Sequence, residues 1–375
     1  MNRSNDTIPT ALLIAVAALL LWTPTAAAQE LFIEPEIESR SSSNVYLTRQ
    51  AEWDVAIMPR LNGGLSFARH WTAGFSNRLS VFPRHSDLMF HRHELYLFAN
   101  PTWGAGGKNE LLVRLSAQTQ RNAEEYSSIN HLKPILSARL VREETDWWRW
   151  ELSQDLSLAW FYDDQTRDTL DAWVRGSFTL TAQTRTTVSP RVGYGFRYYT
   201  HQDQAVVDDS HDQQVEVGVH LSQGLADRVG LQLDYAYLDA VGPSGLVLQQ
   251  LSTTEVGYIG EEFLFSGHRA GLIYKQVFGG GWTVGAGLLF ETRDWAGWMV
   301  VDSAGAATGE ERRDRRISPN TWVEYTWWPR EGASRAVPEG KLSFEYAYLR
   351  QWSNDPWYDT SQHVTMLNLA LSWLM

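Results

Sequence analysis

Residues 148–162, WRWELSQDLSLAWFY, alternate with a period of two. Trp148, Trp150, Leu152, Leu156, Leu158, Trp160 and Tyr162 fall on one side, and Arg149, Glu151, Ser153, Asp155 and Ser157 on the other. Strict alternation predicts a strand with one apolar and one polar face. The period recurs in 213–221 (QQVEVGVHL), 229–237 (VGLQLDYAY) and 341–348 (KLSFEYAY). Strands of soluble sandwiches average about five or six residues. These segments run to about ten or more, the length a tilted membrane-crossing strand needs.

The connections alternate too. Short ones fall at 70–72, 106–109, 184–186, 226–227 and 279–281, and long polar ones at 122–130, 202–212, 242–252 and 295–314. Short turns at one rim and long loops at the other predict an all-β, transmembrane, antiparallel up-and-down β-barrel rather than a secreted sandwich. About sixteen strands fit, from 31–43 to 361–375, with fourteen or eighteen as alternatives. The segment 255–277 divides least clearly; 282–293 and 315–328 flank the long loop 295–314. The connection 329–340, PREGASRAVPEG, is long for a turn at the short-turn rim, and its Pro and Gly content suits a loop.

The 375 residues contain no Cys, so disulfides, thiolate metal sites and a Cys nucleophile are excluded. A net charge of −12 argues against nucleic acid as a partner. The apolar run ALLIAVAALLLW (11–22) before Ala26-Ala27-Ala28 predicts a signal peptide over 1–28 and an outer-membrane barrel over 29–375. The 18 Trp concentrate at the proposed short turns and the C-terminus. Trp71, Trp103, Trp147, Trp148, Trp282, Trp327, Trp328 and Trp373 are therefore candidates for a periplasmic aromatic girdle, where an indole sits between hydrocarbon and headgroups.

By alternation the candidate pore-lining residues are Arg114, Arg149, Glu151, Asp155, Arg175, Glu216, Asp234, Arg269, Lys275, Glu324 and Glu345. Charges of both signs inside a pore set up a field that orients and selects hydrophilic solutes. About sixteen strands enclose a lumen too wide for side chains alone to fill, and 295–314 is the candidate constriction. A phospholipase would need a Ser–His pair and a protease a rim cluster of Asp and His. Only the loop run 208–211, DDSH, approaches the second, so the expectation is no enzyme and no cofactor. His91-Arg92-His93 has a metal-binding spacing without a third ligand, so a rim position is expected.

Residues 367–375, LNLALSWLM, resemble the C-terminal strand of bacterial outer-membrane β-barrel proteins. That resemblance implies recognition by the barrel-insertion machinery; Met375 stands where the superfamily usually has an aromatic residue. Residues 43–61, SNVYLTRQAEWDVAIMPRL, resemble the opening of barrels associated with exopolysaccharide export. This second resemblance implies a lumen that passes a sugar chain, for which Trp173 and Trp322 would be suitable stacking surfaces. The expected function is passage of hydrophilic material, with exopolysaccharide export first, a passive diffusion porin second and a blocked surface barrel third. Expected partners are outer-membrane lipid and lipopolysaccharide, with a periplasmic export partner for the first reading and a homotrimer for the second.

Overall fold

The computed structural model of this chain describes residues 30–45, 51–67, 70–163, 168–200, 211–241, 263–302, 307–328 and 338–374. The expected signal peptide, most of 202–212, all of 242–252 and Met375 lie outside them. The strands are β1 (Glu30–Ser42), β2 (Asp54–Phe67), β3 (Trp71–Ser80), β4 (Phe90–Ala99), β5 (Thr102–Trp103), β6 (Asn109–Asn122), β7 (His131–Thr145), β8 (Trp148–Phe161), β9 (Thr169–Thr181), β10 (Thr186–Tyr199), β11 (His211–Ala226), β12 (Val229–Ala240), β13 (Phe265–Val277), β14 (Trp282–Val301), β15 (Ala307–Trp327), β16 (Glu339–Ser353) and β17 (Thr360–Leu374).

Strand β5 is a two-residue segment against the start of β6, and β4 pairs directly with β6. The other sixteen strands pair antiparallel with their chain neighbours. Strand β1 then pairs with β17, from Phe32↔Leu374 to Ser42↔Val364. The ladder closes, so no strand edge is left unpaired. No helix among the described residues is long and apolar enough to cross a membrane. Strands supply the crossing instead, in a closed ladder that pairs each strand with two neighbours.

The pleat sorts the side chains. Leu115, Val192, Val217 and Leu367 point outward and are at least half exposed. Their strands turn Arg114, Arg191, Glu216 and Asn368 inward, where each meets a polar partner on a nearby strand. A continuous apolar outer wall is what hydrocarbon requires and water penalises.

Two sequence expectations need correction. Strand β13 begins at Phe265, with Phe263 and Leu264 outside it, and 255–262 lie outside the described residues. The expected loop 295–314 is mostly strand: β14 continues to Val301 and β15 starts at Ala307. Polar composition, EERRDRR at 310–316, concealed the extension. Above the apolar band the outer face meets water, so charge is tolerated on both faces and the apolar–polar alternation disappears. The ladder shifts register between Asp294 and Met299. Such a bulge breaks the period of two locally, and Trp295 and Trp298 are both buried, at 1% and 3% exposure.

One strand tests the facing assignment. Leu156→Arg places a charge on the lipid face at a cost of about 2–4 kcal/mol near the midplane. The folded, heat-modifiable form on a gel is expected to be depleted. Asp155→Arg, one residue away on the luminal face, is expected to assemble; equal behaviour of the two variants would sink the assignment.

Candidate functional site

The candidate site is the inner wall. Cross-strand neighbours of opposite charge lie about 5 Å apart on one face of a sheet, and the chain uses this repeatedly. Arg114 of β6 donates to Glu94 of β4 at 2.6 Å. Arg139 of β7 donates to Glu151 of β8 at 2.7 Å. A longer chain crosses five strands. Asp155 of β8 meets Arg175 of β9 at 3.4 Å, and Arg175 meets Glu216 of β11 at 3.3 Å. Arg191 of β10 reaches Glu216 at 2.7 Å and holds Asp234 of β12 through two hydrogen bonds of 2.7 and 2.9 Å. His220 approaches Asp234 at 3.5 Å.

The remaining candidates fall elsewhere on the wall. Arg269 donates to Glu291 at 2.6 Å, and Arg293 meets the same carboxylate at 2.9 Å. Lys341 pairs with Glu324 at 2.6 Å, and Asn320 donates to Glu345 at 2.9 Å. Arg149 and Lys275 sit on the inward register near the short-turn rim, with no ion pair among the described residues. Alternation in 187–201 also turns Arg191 and Arg197 inward, and in 282–293 Glu291. These residues were legible by the same rule although absent from the candidate set.

The wall has an open and a covered sector. Arg114, Arg139 and Asp155 each keep 46–47% of the side chain exposed to the lumen. They line a concavity with Phe98, Ser137 and Ser153. On the opposite side, toward the long-loop rim, Tyr199, Leu238, Leu264, Phe265, Trp295 and Trp298 form a buried cluster. Arg312 seals it: its guanidinium lies 4.3 Å from the Trp298 ring and 3.5 Å from the Tyr358 ring, and pairs with Asp314 at 2.7 Å.

One residue reaches across the inner wall from its own strand: Phe263, which precedes β13. Its ring centroid lies 5.1 Å from that of Trp173 on β9, and 4.9 Å from the Arg197 guanidinium on β10. Strands β13 and β10 are separated by β11 and β12. At about 4.8 Å per strand step, that span is about 14 Å. Phe263 can cover it only from inside the barrel. Gly195 makes room, since a Cβ there would come within 2.6 Å of Phe263. The backbone of Phe263 has φ 75°, a left-handed conformation that costs a non-glycine residue about 1–3 kcal/mol. Among the described residues, the connection before β13 places Phe263 inside the wall, while 295–314 contributes Trp295, Trp298 and Arg312 to the buried cluster. Trp173 is consequently only 6% exposed, so it offers no open stacking face in this state; Trp322 is half-buried.

All eight girdle candidates lie at the short-turn rim. Trp71, Trp103, Trp147, Trp282 and Trp328 are exposed there. Trp148 packs on Phe178, Trp327 on Tyr325, and Trp373 stands opposite Ile33. His91 and His93 face the outer wall: His91 Nδ1 is 3.0 Å from His93 Nε2, and His93 Nδ1 is 2.7 Å from Asn77. No group of three metal-ligating side chains occurs among the described residues. Of the DDSH run, 208–210 lie outside the described residues and His211 opens β11.

No family model matches the chain, and no curated protein matches it. Its fold does match solved structures. A bacterial polysaccharide outer membrane secretin is similar over 92% of this chain and 98% of its own, with TM-score 0.50 and 7% identity. OprD from Pseudomonas aeruginosa matches over 92% and 94%, with TM-score 0.50 and 12% identity. An OccD1 (OprD) double variant matches over 94% and 97%, with TM-score 0.50 and 11% identity. The chain therefore has the porin-like barrel fold of bacterial outer-membrane proteins.

Arg197 and Asp171 are 2% and 14% exposed and joined by bonds of 2.7 and 3.0 Å. Removing one partner of a buried pair costs about 3–5 kcal/mol. Arg197→Met is expected to lower the urea midpoint of the refolded barrel clearly. Adding Asp171→Leu is expected to restore most of the loss; no recovery in the double variant would show that the pair is not the cause.

Proposed function

We propose that this barrel resides in the bacterial outer membrane and passes small hydrophilic solutes, as a diffusion channel narrowed by Phe263. The observation that carries the reading is the open sector, where Arg114, Arg139, Glu151 and Asp155 face water inside a sixteen-strand wall. A barrel of that size leaves an aqueous channel unless something fills it. Charges of both signs across a narrowed passage favour solutes that are themselves polar or dipolar. The proposal requires no bond-making chemistry and no cofactor.

Export of a saccharide chain is the second reading, favoured by Trp173. Its Nε1 is buried without a hydrogen-bond partner among the described residues, and Phe263 stacks on its ring. If Phe263 withdrew, Trp173 would present an aromatic face and a free donor, the pair of features that grips a sugar ring.

Conductance of the refolded protein in a planar bilayer separates the two readings. A diffusion channel is expected to conduct steadily without a partner. Phe263→Ala is expected to raise its conductance, and Glu151→Gln with Asp155→Asn to shift its selectivity toward anions. A folded wild-type barrel that stays silent and opens only in Phe263→Ala would favour export. Silence in both would favour a blocked barrel.

A further inference from the structure

Two indoles of the inner wall are laid on glycine. Gly195 of β10 stands opposite Trp173 of β9, and Gly285 of β14 opposite Trp322 of β15. A Cβ at either glycine would overlap the indole facing it. Each ring therefore lies across the neighbouring strand, one face against the wall and the other toward the lumen. A ring over a cross-strand glycine also stabilises a sheet, and for Trp173 that role suffices. It is 6% exposed, stacked with Phe263, and the Arg175 guanidinium lies 4.1 Å from its ring. Trp322 differs. It is half-buried, no ring or guanidinium of a described residue stacks on it, and its Nε1 has no hydrogen-bond partner among them.

Register sets what surrounds this open ring. Asn320 and Glu324 flank it on the inward face of β15, and Glu345 stands opposite on β16. Gly287, opposite Asn320, repeats the glycine device, since a Cβ there would overlap the Asn320 amide oxygen. Amide and ring thus both lie low on the wall. Asn320 Nδ2 donates to Glu345 Oε1 at 2.9 Å, and Lys341 pairs with Glu324 at 2.6 Å. Glu345 has no ion-pair partner among the described residues, so carboxylates outnumber cations around the ring.

The ring lies just inside the short-turn mouth. Gly285 is three residues from Trp282, which opens β14 at that rim. At about 3.3 Å per residue and a tilt of about 35–45°, the step is about 8 Å into the lumen. A flat apolar face bordered by carboxylates, an amide and an ammonium fits one class of solute. The C–H face of a pyranose stacks on an indole, and its ring hydroxyls reach acceptors and donors beyond the edge of that indole.

We propose that Trp322 is a binding platform for neutral pyranose sugars on the luminal wall. The inference rests on the open-lumen reading above and names a solute class for it. The indole takes the apolar face of the sugar. Glu345 and Glu324 accept from its hydroxyls, and Lys341 and the Trp322 Nε1 donate to them. Glu345, with no cation beside it, meets a sugar carboxylate with like charge, so the platform discriminates against uronates.

Isothermal titration calorimetry of the refolded full-length barrel in detergent tests this with two probes, cellohexaose and a hexamer of galacturonic acid. The wild type is expected to bind cellohexaose, and the uronate about tenfold more weakly. Trp322→Ala is expected to weaken cellohexaose about tenfold, while Trp322→Phe, which keeps a flat ring and guards against a folding failure, retains most of the affinity. Glu345→Gln is expected to leave cellohexaose within about threefold and to raise the uronate toward it, a change in charge preference that a purely structural carboxylate would not cause. A wild type that ignores cellohexaose, a Trp322→Ala barrel that binds it equally, or equal affinity of the wild type for both probes would overturn the proposal. Conductance of the same preparation separates the two readings. A conducting barrel without cellohexaose binding removes the platform and leaves the channel; a silent barrel that binds it with the expected variant pattern supports the platform and removes the channel.

Discussion

Every feature of this barrel depends on one constraint: a backbone N–H or C=O left unpaired in hydrocarbon costs several kcal/mol. An open sheet would leave two such rows. Pairing of β1 with β17 removes them, from Phe32↔Leu374 through Ser42↔Val364. Closure with up-and-down neighbours brings the start of β1 and the end of β17 to one rim, because each strand reverses the last and their number is even. It also fixes which side of each strand is wet. Once Glu36 faces Arg60 inside, Ile37 has no choice but the outer wall, where it is 48% exposed.

Closure creates the second problem, which is how to hold many charges on a curved inner surface. The solution is local neutrality. Arg191 is shared by Glu216 and Asp234, and Glu291 is shared by Arg269 and Arg293. Each arginine offers a fork of donors, so one side chain can satisfy two carboxylates on two different strands. The prevalence of Arg over Lys, with Lys only at 108, 133, 275 and 341, follows from this geometry. A lysine would supply the charge without the fork. Short pairs occur both where water reaches the wall, as at Arg114 and Glu94, and where the cluster covers it, as at Arg197 and Asp171.

The period of two made most of this legible. It marks about sixteen crossings and turns Arg114, Glu216 and Asp234 inward, because the pleat obliges neighbours to face opposite ways. It was blind where its physical cause was absent. In 307–316 both faces of β15 meet polar surroundings, so no apolar stripe marks the strand. At Trp295 and Trp298 the bulge interrupts the period, and two buried rings appear where one was due. Phe263 lay within a segment read as continuous strand. Its role depends on contacts with Trp173 of β9 and Arg197 of β10, a long-range placement that no local pattern encodes.

The two rims also differ in a way that bears on orientation. The short-turn rim carries indoles, each with one donor and a broad apolar face. The other carries indoles too, at Trp53, Trp160, Trp352 and Trp357, and adds tyrosines, imidazoles and outward arginines. An indole ring satisfies a boundary of modest polarity, whereas guanidinium and imidazole groups need anions or hydroxyls in place of lost water. A wall built this way is not symmetric about the membrane midplane. The difference between the rims is therefore carried by the strands themselves.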